Sequence, residues 1–381
     1  MLRHNLSSFE LSQSYLFFWD KLEKANWFLH QMIQTSQHDL SSRLIQTLLA
    51  APVNDGGQWD MANNLVYKYG LVPQSLYPDS FNAMNSSRMG RILTSKLRAD
   101  ALILRKIANY SHTTKEDKEQ KLLAAKEKML HQVHTILTLM LGPPPKPSDK
   151  FTWQYLDKDG KFCSKTLTPL ELAHELYTPS FSSRHLSGAN PNNLFSLVND
   201  PRHPYLTHLT VDRLGNVING RRAITYINVD MSTMKRAATS MLRANLPVFF
   251  GSDVGKFSSS QSGIMDPQLY NYNLAFESGN GSLALSKSER LRTGESAMTH
   301  AMVLTGVHLD DKTGASIRWR VQNSWGEAPG DKGWFVMSDD WMDEFVYQVV
   351  VDPVFVSKEV RECLNKEAVV LPLWDPMGAL A

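Results

Sequence analysis

The spacing of apolar residues changes once along this chain, and that change restricts its fold more than any other feature. In the first part it repeats every three or four residues. Tyr15, Phe18, Trp19 and Leu22 mark one helical face, and Ser12 ahead of them is suited to an N-cap. Leu123, Leu130, Val133, Leu137 and Met140 form a seam along a second helix, from Lys115 to Leu141. Thr113 and Glu116 have capping-box spacing in front of it, and Gly142 with Pro143, Pro144 and Pro145 closes it. With the stretch 88–109 this reads as a helical insertion. Residues 181–204, rich in Ser, Asn and Pro, read as a loop. Later the helical spacing gives way to short apolar runs, one of which, 317–321, alternates. Residues 301–307, 317–321, 333–337 and 347–351 read as short strands, with Trp319 and Val321 on one side of theirs. Helices followed by strands predict an α+β chain with an antiparallel sheet or barrel in its C-terminal part.

Composition narrows the class. The chain has 381 residues, 42% hydrophobic and 20% charged, as in an ordinary globular protein of one large or two to three smaller domains. No apolar run approaches the roughly 20 residues that span a bilayer, so no membrane partner is expected. The first residues carry no apolar signal core. A net charge of +2 gives no general case for nucleic acid. The two cysteines, Cys163 and Cys363, suggest a reducing compartment, and their spacing suits no metal site. No metal or cofactor is expected.

Chemistry concentrates in two short runs. Thr299-His300-Ala301-Met302 opens one strand, and Val321-Gln322-Asn323-Ser324-Trp325-Gly326 ends another. The turn-forming run Asp310-Asp311-Lys312-Thr313-Gly314 lies between them, so a hairpin would bring His300 and Asn323 together across adjacent strands. The Asn oxygen would accept one imidazole N–H and fix the tautomer. The other ring nitrogen would then take a proton from a nucleophile. Trp325 could cover the His–Asn bond and exclude water. A lone histidine beside an apolar strand is more often a satisfied core residue. Both runs together, at paired strand ends, reverse that reading.

The same runs, with Leu11–Asp20 (LSQSYLFFWD), Asn54–Asp60 (NDGGQWD), Asn199–Arg202 (NDPR), Gly294–Met302 (GESAMTHAM) and Trp374–Ala381 (WDPMGALA), resemble the bleomycin hydrolase family of papain-like cysteine peptidases. The resemblance extends over essentially the whole chain. It implies a papain-like α+β fold that is incomplete at its N-terminus. Residues 1–87 would be the remainder of the helical subdomain and 88–150 the helical insertion. Residues 151–370 would form the β-rich subdomain with His300 and Asn323, and 371–381 a tail entering the cleft. It further implies that His300 is the general base and ion-pair partner of a thiolate, oriented by Asn323. Gly56 and Gly57 would border the substrate cleft, where glycine lets substrate backbone come close. The carboxylate of Ala381 would meet the ammonium of a peptide's first residue, making the activity an aminopeptidase one. At about 4 Å such a pair has about 4 kcal/mol of Coulomb attraction before desolvation.

In the family the nucleophile lies in a segment resembling S-G-R-C-W, ahead of L-S-Q. Here ten residues precede Leu11 and none is Cys. Cys163 reads as part of a hairpin strand and Cys363 as part of a late helix, so neither is expected to replace it. Hydrolysis by this chain as given is therefore expected to fail. The family also implies peptide substrates, a homohexamer, and a cytoplasmic location with a mitochondrial form allowed. The alternative is a non-catalytic oligomer subunit, or a peptide- or nucleic-acid-binding protein of the same fold. Arg88, Arg91, Lys96, Arg98, Arg105 and Lys106 would carry weak nucleic-acid binding, although such a stretch is usually a solvated helix face.

Overall fold

The computed structural model describes residues 4–110, 114–177, 190–272, 274 and 284–379. They fall into two compact units, drawn from residues 1–55, 61–183 and 215–223, and from residues 56–60, 184–214 and 224–381.

The first unit is mainly helical: α1 (Gln13–Gln34), α2 (Arg43–Ala50), α3 (Trp59–Tyr69), α4 (Phe81–Met84), α5 (Ser87–Ala108) and α6 (Lys115–Leu141). Ser12 caps α1 by accepting the Tyr15 N–H, and Tyr15, Phe18 and Trp19 are buried as the spacing predicts. Lys21, buried on the same helix, donates to the carbonyls of Val53 and Asn54 and pairs with Asp55. α6 departs from expectation twice. Its N-cap is Thr114, which accepts the Asp117 N–H, while Thr113 lies outside the described residues. Its buried seam is Leu122, Met129, Val133, Leu137 and Leu141, and Leu123 is 59% exposed. Both stripes have a helical period. Which one is buried depends on how α6 rotates against its neighbours α1 and α5.

After α6 come an antiparallel hairpin of β1 (Phe151–Leu156) and β2 (Phe162–Leu167), then α7 (Pro169–Tyr177). Phe151, Trp153 and Leu167 are buried in the helical core. The strand-forming residues just after 150 thus belong with the helices, because their apolar side chains find cover there.

The second unit is built on a mixed sheet, with eleven strands among the described residues, in the order β13-β4-β5-β3-β12-β6-β9-β10-β11-β8-β7. These are β3 (Phe195–Val198), β4 (Thr207–Val211), β5 (Tyr226–Asn228), β6 (Val248–Ser252), β7 (Ser258–Ser259), β8 (Ile264–Met265), β9 (His300–Leu309), β10 (Ser316–Gln322), β11 (Trp334–Ser338), β12 (Val346–Val351) and β13 (Val369–Leu371). Among the described residues, four α-helices complete it: α8 (Met231–Arg243), α9 (Lys287–Thr293), α10 (Asp339–Phe345) and α11 (Lys358–Glu362). The expected loop at 181–204 is corrected. Its last part contains β3, buried throughout and hydrogen-bonded to both β5 and β12, while 181–189 lie outside the described residues. Ser, Asn and Pro on either side concealed a strand of only four residues, three of them apolar. The four later strands form where expected.

Candidate active site

His300 stands at the start of β9 because the chain before it is held tightly. α9 begins in a capping box of Ser286 and Glu289 and ends at Gly294, whose φ of 73° suits glycine. Six residues later the chain enters the sheet, where His300 pairs with Ser252 of β6. β9 and β10 then make the expected hairpin. Its turn is fixed by Asp310, whose Oδ1 accepts the N–H groups of Lys312 and Thr313, and by Gly314 at φ 71°. Asn323 follows β10, its own N–H donated to the Gly333 carbonyl.

The two side chains meet. His300 Nε2 lies 2.9 Å from Asn323 Oδ1. The same oxygen accepts the backbone N–H of Ser324 at 2.7 Å. A backbone N–H can only donate, so the amide atom it meets is the oxygen, and His300 Nε2 must carry the proton. Nδ1 is left as the basic nitrogen. Trp325 lies over the imidazole, with ring centroids 4.7 Å apart and planes tilted by 32°, and is itself partly exposed. Burial pushes the pKa of His300 below its ordinary value, and the bond to Asn323 partly offsets this. The result is a neutral, oriented base under an aromatic cover.

The glycine pair and the described part of the tail lie on two segments of the same unit. Gly57 has open space where a Cβ would project, and its φ lies outside the left-handed region. Neither its neighbours nor its backbone therefore demand glycine. The next residue, Gln58, is buried and donates from Nε2 to the Ala379 carbonyl at 2.9 Å. Asp60 accepts the Thr225 N–H. The tail is strongly anchored. β13 pairs with β4, Met377 is fully buried with its carbonyl bound by the Tyr226 hydroxyl, and Asp375 pairs with Arg202, which also holds Asp200. Ala381 lies outside the described residues. Gln58 and the Arg202–Asp375 pair were not singled out from sequence. They lay inside quoted runs, but only their distant partners reveal what they hold.

Neither thiol bonds to His300. Cys163 lies in β2 opposite Tyr155, with its sulfur 3.8 Å from the Lys161 carbonyl. Cys363 is fully buried just after α11, against the carbonyls of Leu206 and Glu359. Among the described residues, no group of three or more His, Cys, Asp or Glu is placed to hold a metal ion, and no helix is long and apolar enough to cross a membrane. The basic stretch on α5 is partly engaged internally. Arg98 donates to the carbonyls of Leu49 and Ala50, Arg105 to those of Thr35 and His38, and Lys96 pairs with Asp100.

A family model described as the peptidase C1-like family matches residues 1–378. Aminopeptidase C of Listeria monocytogenes is 43% identical over 379 residues, which cover 99% of this chain and 80% of that protein. Human bleomycin hydrolase is 41% identical over 387 residues, covering 100% and 81%. The mitochondrial cysteine proteinase 1 of Saccharomyces cerevisiae is 42% identical over 382 residues, covering 99% and 75%. The crystal structure of PepW from Lactobacillus rhamnosis matches with a TM-score of 0.88 at 41% identity, covering 100% of this chain and 81% of that one.

Proposed function

Because the chain belongs to the peptidase C1-like family, we propose that it carries the base and the substrate-reading tail of a cysteine aminopeptidase acting on peptides. His300 Nδ1 would take the proton of a thiol, and the imidazolium would stabilise the thiolate as an ion pair. When the thiolate adds to the scissile carbonyl and the C–N bond breaks, the same proton would pass to the leaving amine. Water, deprotonated by Nδ1, would then release the acyl group. Throughout, Asn323 Oδ1 would hold Nε2–H and Trp325 would shield that bond. The observation that carries this reading is the 2.9 Å bond of His300 to an Asn oxygen already fixed by the Ser324 N–H.

Gly56 and Gly57 would border the substrate backbone. In support, Gly57 is free of any neighbour that requires glycine, and Gln58 beside it binds the tail at Ala379. That anchor lies two residues short of the carboxylate of Ala381, which would receive the substrate's ammonium.

The test is equilibrium binding of one short peptide in two forms, with a free and with an acetylated amino terminus. Tighter binding of the free form, lost when Leu380 and Ala381 are deleted, is expected. Equal affinity for both forms in the full chain would refute the tail's role. Turnover is a separate measurement. With neither Cys163 nor Cys363 bonded to His300, hydrolysis of aminoacyl-coumarins by these 381 residues is expected to be absent. Hydrolysis abolished by iodoacetamide would instead assign one of them as nucleophile.

A further inference from the structure

A buried carboxylate stands behind the entry to β9 with no cation opposite it. Asp253 is 5% exposed and, among the described residues, pairs with no Lys, Arg or His. The nearby Lys256 gives its ammonium to Glu295 instead. Removing a carboxylate from water is costly unless its oxygens are hydrogen-bonded. Here Oδ2 accepts the Ser296 hydroxyl at 2.7 Å and Oδ1 the Thr299 hydroxyl at 3.3 Å. The Ser296 hydroxyl in turn accepts the Tyr347 phenol at 2.7 Å, and Tyr347 is fully buried. One carboxylate thus grips both ends of the four-residue stretch that delivers His300 to the sheet.

Two further contacts point the same way. The Thr299 N–H is donated to the Ser252 carbonyl at 2.9 Å, and Ser252 is the residue that pairs with His300. Between the two gripped hydroxyls, the buried Met298 lies where a side chain at Gly251 would have to go. The stretch is therefore held by hydrogen bonds at each end, a short one from Ser296 and a longer one from Thr299 whose hydroxyl also faces the Ser252 carbonyl at 3.5 Å, and by packing in the middle. Successive side chains of an extended chain point to opposite faces, so a grip on Thr299 sets the direction in which His300 leaves the backbone.

We propose that Asp253 is a positioning residue for His300, acting through Ser296 and Thr299 to hold the imidazole where only Nε2 can reach Asn323. This rests on the reading of His300 as the base. It adds that the geometry of the base is set from behind the strand by a carboxylate that touches neither substrate nor imidazole.

The readout is the ring 15N spectrum of His300 in the full chain, which reports its tautomer without any turnover. The wild type should show Nε2–H alone, and Asn323→Ala should lose that preference. If the wild type lacks it, the reading of the base fails. Given that signature, Asp253→Ala and Thr299→Val should each bring up the second tautomer, while Thr299→Ser, which keeps the hydroxyl, should restore the wild-type spectrum. Valine matches threonine in shape, so the Thr299 pair decides the matter even if Asp253→Ala does not fold. A folded Thr299→Val protein with the wild-type spectrum would overturn the proposal.

Discussion

At the scale of single residues, the polarity of the site follows from two hydrogen bonds that share one oxygen. Ser324 fixes the amide of Asn323, and Asn323 fixes the imidazole. Both residue types, and the turn that joins their strands, are explicit in the sequence, so this pair is legible from the chain's own pattern. Its consequence for stability can be measured. Burial lowers the pKa of His300 in the folded chain below its ordinary value near 6.5. Between those two pKa values the unfolded chain binds more protons than the folded one, so stability rises as pH rises through that window. Calorimetric melting across pH 5–7 should show this rise. In His300→Gln, which cannot titrate, the rise should be smaller by the contribution of this one group. An unchanged slope would mean that His300 titrates alike in the folded and unfolded chain, and a steeper rise in the variant that its site favours the charged form.

At the scale of elements, periodicity identified α1, α6 and the later strands, and set the phase of α1 but not of α6. The seam of α6 lies one residue away from the expected one in its N-terminal half, because rotation about a helix axis is settled by its neighbours. The four residues of β3 were hidden in polar sequence, and only pairing on both sides makes them a strand. Close approach between elements was equally invisible. Gly70 follows α3 at a φ of 77°, and an added Cβ there would run into the backbone of Pro169 at the start of α7. The Leu71 N–H is donated to that same Pro169 carbonyl. Gly70→Ala should therefore cost about 1–3 kcal/mol, as overpacking does, read as a lower midpoint in urea. A neutral substitution would mean that α7 can shift away without loss.

For the whole molecule, the most informative contacts join residues far apart in sequence. Arg202 holds Asp200 beside it and Asp375 in the tail, 173 positions away. Burial raises the pKa of Asp200, but the hydrogen bonds and charge of Arg202 outweigh it and hold the carboxyl below its ordinary value. Replacing Arg202 with Met would leave Asp200 buried without the guanidinium that offsets its burial, with His203 as its remaining charged partner. The expected loss is about 3–5 kcal/mol, with faster hydrogen exchange at residues 375–379. Unchanged exchange there would mean that Met377 and β13 alone hold the tail.

The sequence by itself determined the helical class of α1, α5 and α6, the four later strands, the hairpin turn, and the identity of the His–Asn pair. Each of these depends on residues close together in the chain, where spacing and side-chain chemistry act directly. Tertiary structure alone decided the phase of α6, the burial of Phe151, Trp153 and Leu167 among helices, the bond of Gln58 to Ala379, and the clamp of Asp253 on Ser296 and Thr299. Those depend on which distant groups meet once the chain has folded. A buried amide or carboxylate takes whichever donor or acceptor the fold brings within reach, and local pattern carries no record of that choice.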